Sequence, residues 1–210
     1  MLPALTLSSL PLFPLGTVLF PGGVLPLRIF EVRYLDMIGK CHRAGAPFGI
    51  VSLTQGPEVQ VPGAHEAFSD VGTLATITEL AAPQAGLLQI RCTGAQRFRI
   101  SRSERLKHGL WVAEVQRIDD DMAVPVPDDL QGTADALRQL IHALQLREPA
   151  PAQMPLQEPW QLDECGWVAN RWCELLPLPL ELKQRLMALE NPLVRLELVS
   201  DLLARAGIPH

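Results

Sequence analysis

Between Val24 and Phe30 the sequence reads VLPLRIF, with Leu25, Leu27 and Ile29 on one parity and Pro26 and Arg28 on the other. That period of two marks a half-buried strand. FPGG before it supplies a turn, and proline within strands is confined to edges, starts or bulges, so this region is expected at a sheet margin or barrel seam. In EVRYLDMIGKCHRAG the period lengthens. Leu35, Ile38 and Cys41 stand three apart with Val32 one turn earlier, one face of a helix that Gly45 can close at C′. Four further segments, FGIVSL, GTLATITEL, LLQIRCTGAQRFRI and WVAEVQRI, have strand composition and are separated by Gly, Pro, Ser or Asp. One helix among many strands predicts a β-rich barrel or sandwich.

The pattern changes at DDDMAVPVPDD, Asp119 to Asp129, which sets an expected boundary between a β-rich domain, 1–122, and a helical one, 123–210. Beyond it Leu130, Ala134, Leu137, Leu140, Ile141 and Leu144 keep helical spacing, with Asp128 or Asp129 as the expected cap. REPAPAQMPLQEP is too proline-rich to continue that helix. A second helix is expected to carry Leu162, Cys165, Val168 or Ala169, Trp172 and Leu175 on one face and to end at LPLPL, where Pro179 suits the first turn of the next. Asn191-Pro192 repeats the start signal, and Leu193, Leu196, Val199 and Leu203 run on to Gly207. The acidic, proline-bearing connection and the Pro149 to Pro159 loop are the expected sites of early proteolysis.

The first charged side chain is Arg28, so the opening could pass for a membrane span. Pro3, Pro11, Pro14, Pro21 and Pro26 interrupt it before about 20 helix-compatible residues accumulate. Nothing basic precedes an apolar stretch as a secretory signal requires, so folded structure is expected and no membrane contact. With 48% hydrophobic residues among 210, the chain can build a proper core. The net charge of −5 argues against general affinity for nucleic acid or anionic membrane. Cys41, Cys92, Cys165 and Cys173 form no C-x-x-C pair, and free thiols in a reducing cytoplasm are expected.

Catalytic signatures are missing from the sequence. Gly39-Lys40 would need a glycine at Tyr34 and a Ser or Thr at Cys41 to make a phosphate loop. His65-Glu66 would need a second histidine at Ser69 to hold zinc from one helix face. No serine has a G-x-S-x-G setting, and nothing pairs Lys40, Lys107 or Lys183 with a particular serine. Cys41 and His42 are neighbours that point about 100° apart on a helix. No catalytic residue, metal or cofactor is therefore assigned. One feature does point to a ligand: Arg91, Arg97, Arg99, Arg102, Arg105 and Lys107 face a single acid, Glu104, and the alternation in QRFRI stands Arg97 and Arg99 outward as a pair. A basic strand face can track phosphates, although charge runs are usually solvated faces balanced by nearby acids.

Taken together, LPLFPLGTVLFPGGVLPLRIFEVRYLDMI, PFGIVSL, VGTLATI, GAQRFRI and LLPLPLELKQRLMALENPLVRLELV resemble the N-terminal, substrate-binding domain of Lon proteases, in particular its stand-alone bacterial members. The resemblance implies an α+β fold, a PUA-like β pseudo-barrel followed by a C-terminal helical bundle. It also implies a role in recognising protein substrates. The ATPase module and Ser-Lys protease domain of full Lon proteases have no counterpart before His210, so protease activity is not carried over. The expected function is a non-catalytic, cytoplasmic module that binds unfolded segments or a protein partner beside Phe13, Phe20, Pro21 and Phe30, on a proline-stiffened margin able to accept an added strand. The alternative is RNA binding through Arg97, Arg99, Arg102, Arg105 and Lys107. Neither the partner nor the oligomeric state follows from the sequence.

Overall fold

The computed structural model describes residues 6–59, 65–147 and 154–210. Pro3 and the first part of the proline-rich loop, residues 148–153, lie outside the described residues. The chain forms two units, Met1–Asp120 and Asp121–His210.

The first unit is organised by one long strand. β6 (Leu87–Arg105) pairs antiparallel along its first part with β2 (Val24–Ile29), along its last part with β7 (Trp111–Arg117), and from Leu87 to Arg99 with β5 (Val71–Gln84). β1 (Thr6–Leu15) pairs antiparallel with β7 and parallel with β3 (Phe48–Gln55), and β3 pairs antiparallel with β5. The ring β1-β7-β6-β5-β3 is thereby closed, with β2 and the two-residue β4 (Ala67–Phe68) attached outside it. This is the PUA-like pseudo-barrel that the resemblance implied. Closure removes the exposed edges that an open sheet would present. Pro11 and Pro14 sit on the seam strand β1, and Pro26 on β2, whose one strand partner among the described residues is β6.

Two clusters fill the barrel. Leu10, Leu12, Val51, Leu74, Phe98, Ala113 and Val115 form one. The other gathers Phe13, Ile29, Phe48, Ile50, Ile90 and Cys92 with Tyr34, Met37, Ile38 and Cys41 of helix α1 (Val32–Ala44). Gly45 closes α1 in the left-handed conformation, φ 59°, with its N–H on the His42 carbonyl. Val32 departs from the expected face: it is 81% exposed, because the buried stripe passes through Tyr34, Met37, Ile38 and Cys41 instead.

FPGG has a structural explanation. The Gly22 N–H donates to the Gly94 carbonyl and the Gly94 N–H to the Gly23 carbonyl, both at 2.8 Å, while the Thr73 hydroxyl donates to the Leu19 carbonyl at 2.6 Å. The segment Leu19–Gly23 thus crosses directly over β5 and β6. A Cβ at position 94 would fall far inside van der Waals distance of the Phe20 carbonyl oxygen, so only glycine allows the crossing.

The second unit carries α2 (Gln131–Gln145), α3 (Cys165–Leu175), α4 (Leu180–Ala188) and α5 (Pro192–Arg205). Its core is Ala134, Leu137, Ile141, Val168, Trp172, Leu196, Val199 and Leu203, close to the positions that helical spacing selects. Neither Asp128 nor Asp129 caps α2 through its side chain; both lie in a 3-10 turn, Asp128–Leu130, entered from Pro127. Leu162 precedes α3 rather than belonging to it, and Pro179 sits at the N-cap of α4. Nor is the acidic connection free of structure. The Val126 N–H donates to the Asp163 carbonyl at 2.8 Å and the Cys165 N–H to the Val124 carbonyl at 2.9 Å.

Candidate binding groove

Each residue expected at the site has a definite place. Phe13 is 7% exposed and stacks on Tyr34 with ring centroids 4.0 Å apart, while Phe20 is fully buried. Both are core, so neither can present surface to a partner. Pro21 is half-buried in the crossing turn, and Phe30, 56% exposed, stands just beyond the end of β2. The margin is also poorly suited to strand addition: Pro26, in the middle of β2, has no N–H to offer.

The basic strand face does not form as expected. Arg97 is buried at 3% exposure, although Arg99 on the same parity is exposed and pairs with Asp70 at 3.3 Å. Arg97 lies opposite Thr73, on the stretch that Leu19–Gly23 crosses. Alternation assigns a residue to a face of the sheet; it does not say whether that face is covered. Arg91 is buried too. Arg105 pairs with Glu66 at 3.6 Å, Arg102 shares a shallow polar depression with Glu104 and Glu114, and Lys107 is exposed.

Glu66, far from any zinc helix, is the centre of a buried polar cluster. The Trp111 Nε1–H donates to its Oε2 at 2.8 Å, and Arg33 lies 3.8 Å from its Oε1. Arg33 also donates to the Gly109 carbonyl at 2.8 Å and pairs with Glu31 at 3.2 Å. These contacts fasten the start of α1, the approach to β4 and the β6–β7 turn together. Among the described residues no group of three or more His, Cys, Asp or Glu is placed to hold a metal ion. All four cysteines are free and buried, and burial pushes the Cys92 and Cys173 thiols up to about 12, away from the thiolate a nucleophile needs.

Among the described residues a concave apolar surface lies elsewhere, between α1 and the β5–β6 hairpin. It encloses about 470 Å³, with Leu35 and Gly39 of α1 on one side and Leu80, Ala82, Leu87 and Leu88 of the hairpin on the other. His42 and Arg43 rim one end. The sequence held a signal for it that composition alone does not isolate: from Leu80 to Ile90 there is no charged residue, although the hairpin tip is exposed. Gly86 turns the tip at φ 76°. Leu88 is the cross-strand partner of Ile29, so exposed Phe30 follows directly where β2 meets the groove strand.

A closed five-strand ring with an apolar groove beside it, uncharged along its hairpin wall, has the form of a binding module. The chain matches the ATP-dependent protease La (LON) substrate-binding domain over residues 9–205, and it belongs to that family. It is similar to the Lon protease of Anaeromyxobacter dehalogenans (strain 2CP-C), 27% identical over 204 residues, and to Lon protease 2 of Myxococcus xanthus, 26% identical over 202 residues. These alignments take in 94% and 93% of this chain but 23% of each relative, so the chain spans about a quarter of the curated relatives it matches. Among solved structures it resembles the Lon N-terminal domain protein from Xanthomonas campestris, with TM-score 0.71 and 31% identity over 93% of this chain and 98% of that one. The N-terminal domain of the Mycobacterium avium complex Lon protease shares the fold at TM-score 0.59 and 20% identity, over 92% of this chain and 96% of that one. Among the described residues no helix is long and apolar enough to cross a membrane.

Proposed function

We propose that this chain is a non-catalytic recognition module that holds apolar side chains of unfolded polypeptide in the groove between α1 and the β5–β6 hairpin. The observation that carries the reading is the groove itself, a concave apolar surface whose hairpin wall is uncharged. Such surfaces mark interaction sites, and ordered walls reduce the entropy lost on binding. The family to which the chain belongs is described by substrate binding, which supports the same reading. Four free thiols suit a reducing cytoplasm. RNA binding has less support, because Arg97 is buried and Arg99 and Arg105 already face acids.

The test is fluorescence anisotropy with a permanently unfolded probe, reduced and carboxymethylated lactalbumin. Leu88→Asp places a charge in the groove, and Ala82→Asp does so at an exposed wall residue that leaves the core untouched. Both variants are expected to weaken binding at least fivefold with unchanged circular dichroism for Ala82→Asp. Equal affinity of Ala82→Asp and the parent would overturn the groove as the site.

A further inference from the structure

Along α1 the residues that face the groove change character in one direction. Val32, Leu35, Gly39 and His42 follow at spacings of three, four and three, one stripe of the helix. Leu35, Gly39, His42 and Arg43 line the groove, and Val32, 81% exposed, extends the stripe one turn beyond it. The stripe therefore runs from apolar through bare backbone to basic. At Gly39 there is no side chain, and the Arg43 guanidinium leans back over the gap: a Cβ there would lie 3.3 Å from Nη1.

The charges are one-sided. The groove is lined by two basic residues and by no carboxylate, on a chain whose net charge is −5. Lys40 is tied to Asp36 at 2.7 Å, which leaves Arg43 as the charged side chain on the groove rim. The α1 C-terminus adds partial negative charge, but the N–H groups of Gly45 and Ala46 cap its last carbonyls.

We infer that the preferred occupant is an extended segment with apolar residues followed, about two residues on, by an acidic side chain that pairs with Arg43. The spacing follows from geometry. The Arg43 guanidinium lies over Gly39, four residues and roughly 6 Å along the helix from Leu35, which an extended chain covers in about two residues. Apolar side chains fill the space between Leu35 and the hairpin while the carboxylate reaches the basic rim. Arg43 is then a specificity residue, and apolar burial supplies most of the affinity. This inference rests on the groove being the binding site.

The experiment keeps the two ideas apart. Three dye-labelled peptides share a Leu-Phe-Leu core and differ only in carrying Glu, Gln or Lys four residues after the first Leu. Their affinities are measured by anisotropy for the parent chain, Ala82→Asp and Arg43→Gln. For the parent, the Glu peptide is expected to bind roughly threefold tighter than the Gln peptide, and the Lys peptide weaker than both, as for an exposed charge pair. About 0.5 M salt should compress the differences. Arg43→Gln should abolish the ranking, whatever its effect on the affinity common to the three peptides, and Ala82→Asp should weaken all three. Equal binding of the three peptides by the parent, with Ala82→Asp still weakening them, overturns the acidic preference alone. A ranking that survives Arg43→Gln also overturns it. Failure of all three to bind, or indifference to Ala82→Asp, overturns the groove reading with it.

Discussion

In the first unit, backbone hydrogen bonds between strands close the ring, and β6 and β3 each pair with three others. In the second, helices of 9 to 15 residues have few such bonds to one another and are marginal in isolation. What joins them, besides the apolar core, is side chains on carbonyls. Arg195, 1% exposed on α5, donates to the carbonyls of Leu186 and Leu189 at the end of α4, to Asn170 on α3 at 3.1 Å and to the Asp121 carboxylate. The Trp172 Nε1–H reaches the Thr133 carbonyl of α2 at 3.0 Å, and Lys183 reaches the Glu174 carbonyl at 3.2 Å. A ladder tolerates loss of one side chain. A junction made by one arginine does not.

The largest expected effect follows from that contrast. Arg195→Ala removes the ion pair with the Asp121 carboxylate and the donors to the Leu186 and Leu189 carbonyls, and should cost about 3–5 kcal/mol. Hydrogen exchange followed by mass spectrometry should show lost protection in α3, α4 and α5 while β5 and β6 stay protected. Equal loss in both units would dissolve the contrast. The barrel has its own weak point in Gly94, where an added methyl meets the Phe20 carbonyl and the Leu19 side chain. Gly94→Ala should cost about 3 kcal/mol, read by urea unfolding, with protection lost first in β2 and β6.

The same contrast explains what the sequence could and could not convey. Strand and helix positions were legible because each depends on local period, as in VLPLRIF or the stripe from Leu130 to Ile141. The closing pair β1–β3 joins residues far apart in sequence, and no local pattern encodes it. It entered through the resemblance instead. The acidic run was read as a domain boundary open to early proteolysis, yet Asp121 is an acid that Arg195 pairs with, and Gly166 leaves the room: a Cβ there would lie 2.8 Å from Asp121 Oδ2. A partner 74 residues away is invisible to composition. The aromatic residues failed as site markers for a related reason. Large rings are drawn to the core first, so Phe13 and Phe20 mark packing, while the groove is walled by alanine, glycine and leucine.

Protonation offers a smaller lever on the second unit. Arg171 Nε lies 3.0 Å from Glu174 Oε2, yet burial dominates and pushes the Glu174 carboxyl up from 4.5 to about 7, with Arg171 and Lys183 only partly opposing it. The folded state therefore holds that proton more tightly than the unfolded chain. Glu174 contributes most favourably below about pH 4.5, and its contribution declines as pH rises towards 7. The difference is on the order of 3 kcal/mol. Glu174→Gln should remove this decline from the pH dependence of urea unfolding. A parent and variant with parallel profiles from pH 4.5 to 7 would show that the ion pair outweighs burial.

The smallest effect tests how far the helical unit depends on its helix starts. Helices α1 to α4 begin without a side-chain cap, whereas the Asn191 Oδ1 accepts from the Leu193 and Val194 N–H groups, at 3.0 and 3.2 Å. Pro192, at the first position of α5, has no N–H to satisfy. Asn191→Ala should cost about 1 kcal/mol, the ordinary value of a lost cap. Asn191→Gly should cost only a few tenths, since glycine suits the cap backbone and leaves the exposed N–H groups to water. α5 also carries Arg195 one turn further on, so a cap loss that displaced the helix start would disturb the arginine junction as well. In that case Asn191→Ala would approach the cost of Arg195→Ala, and the double variant would cost little more than either alone. Additive costs would instead show that the junction holds α5 in place without its cap. Urea unfolding of the two single variants and the double decides between them.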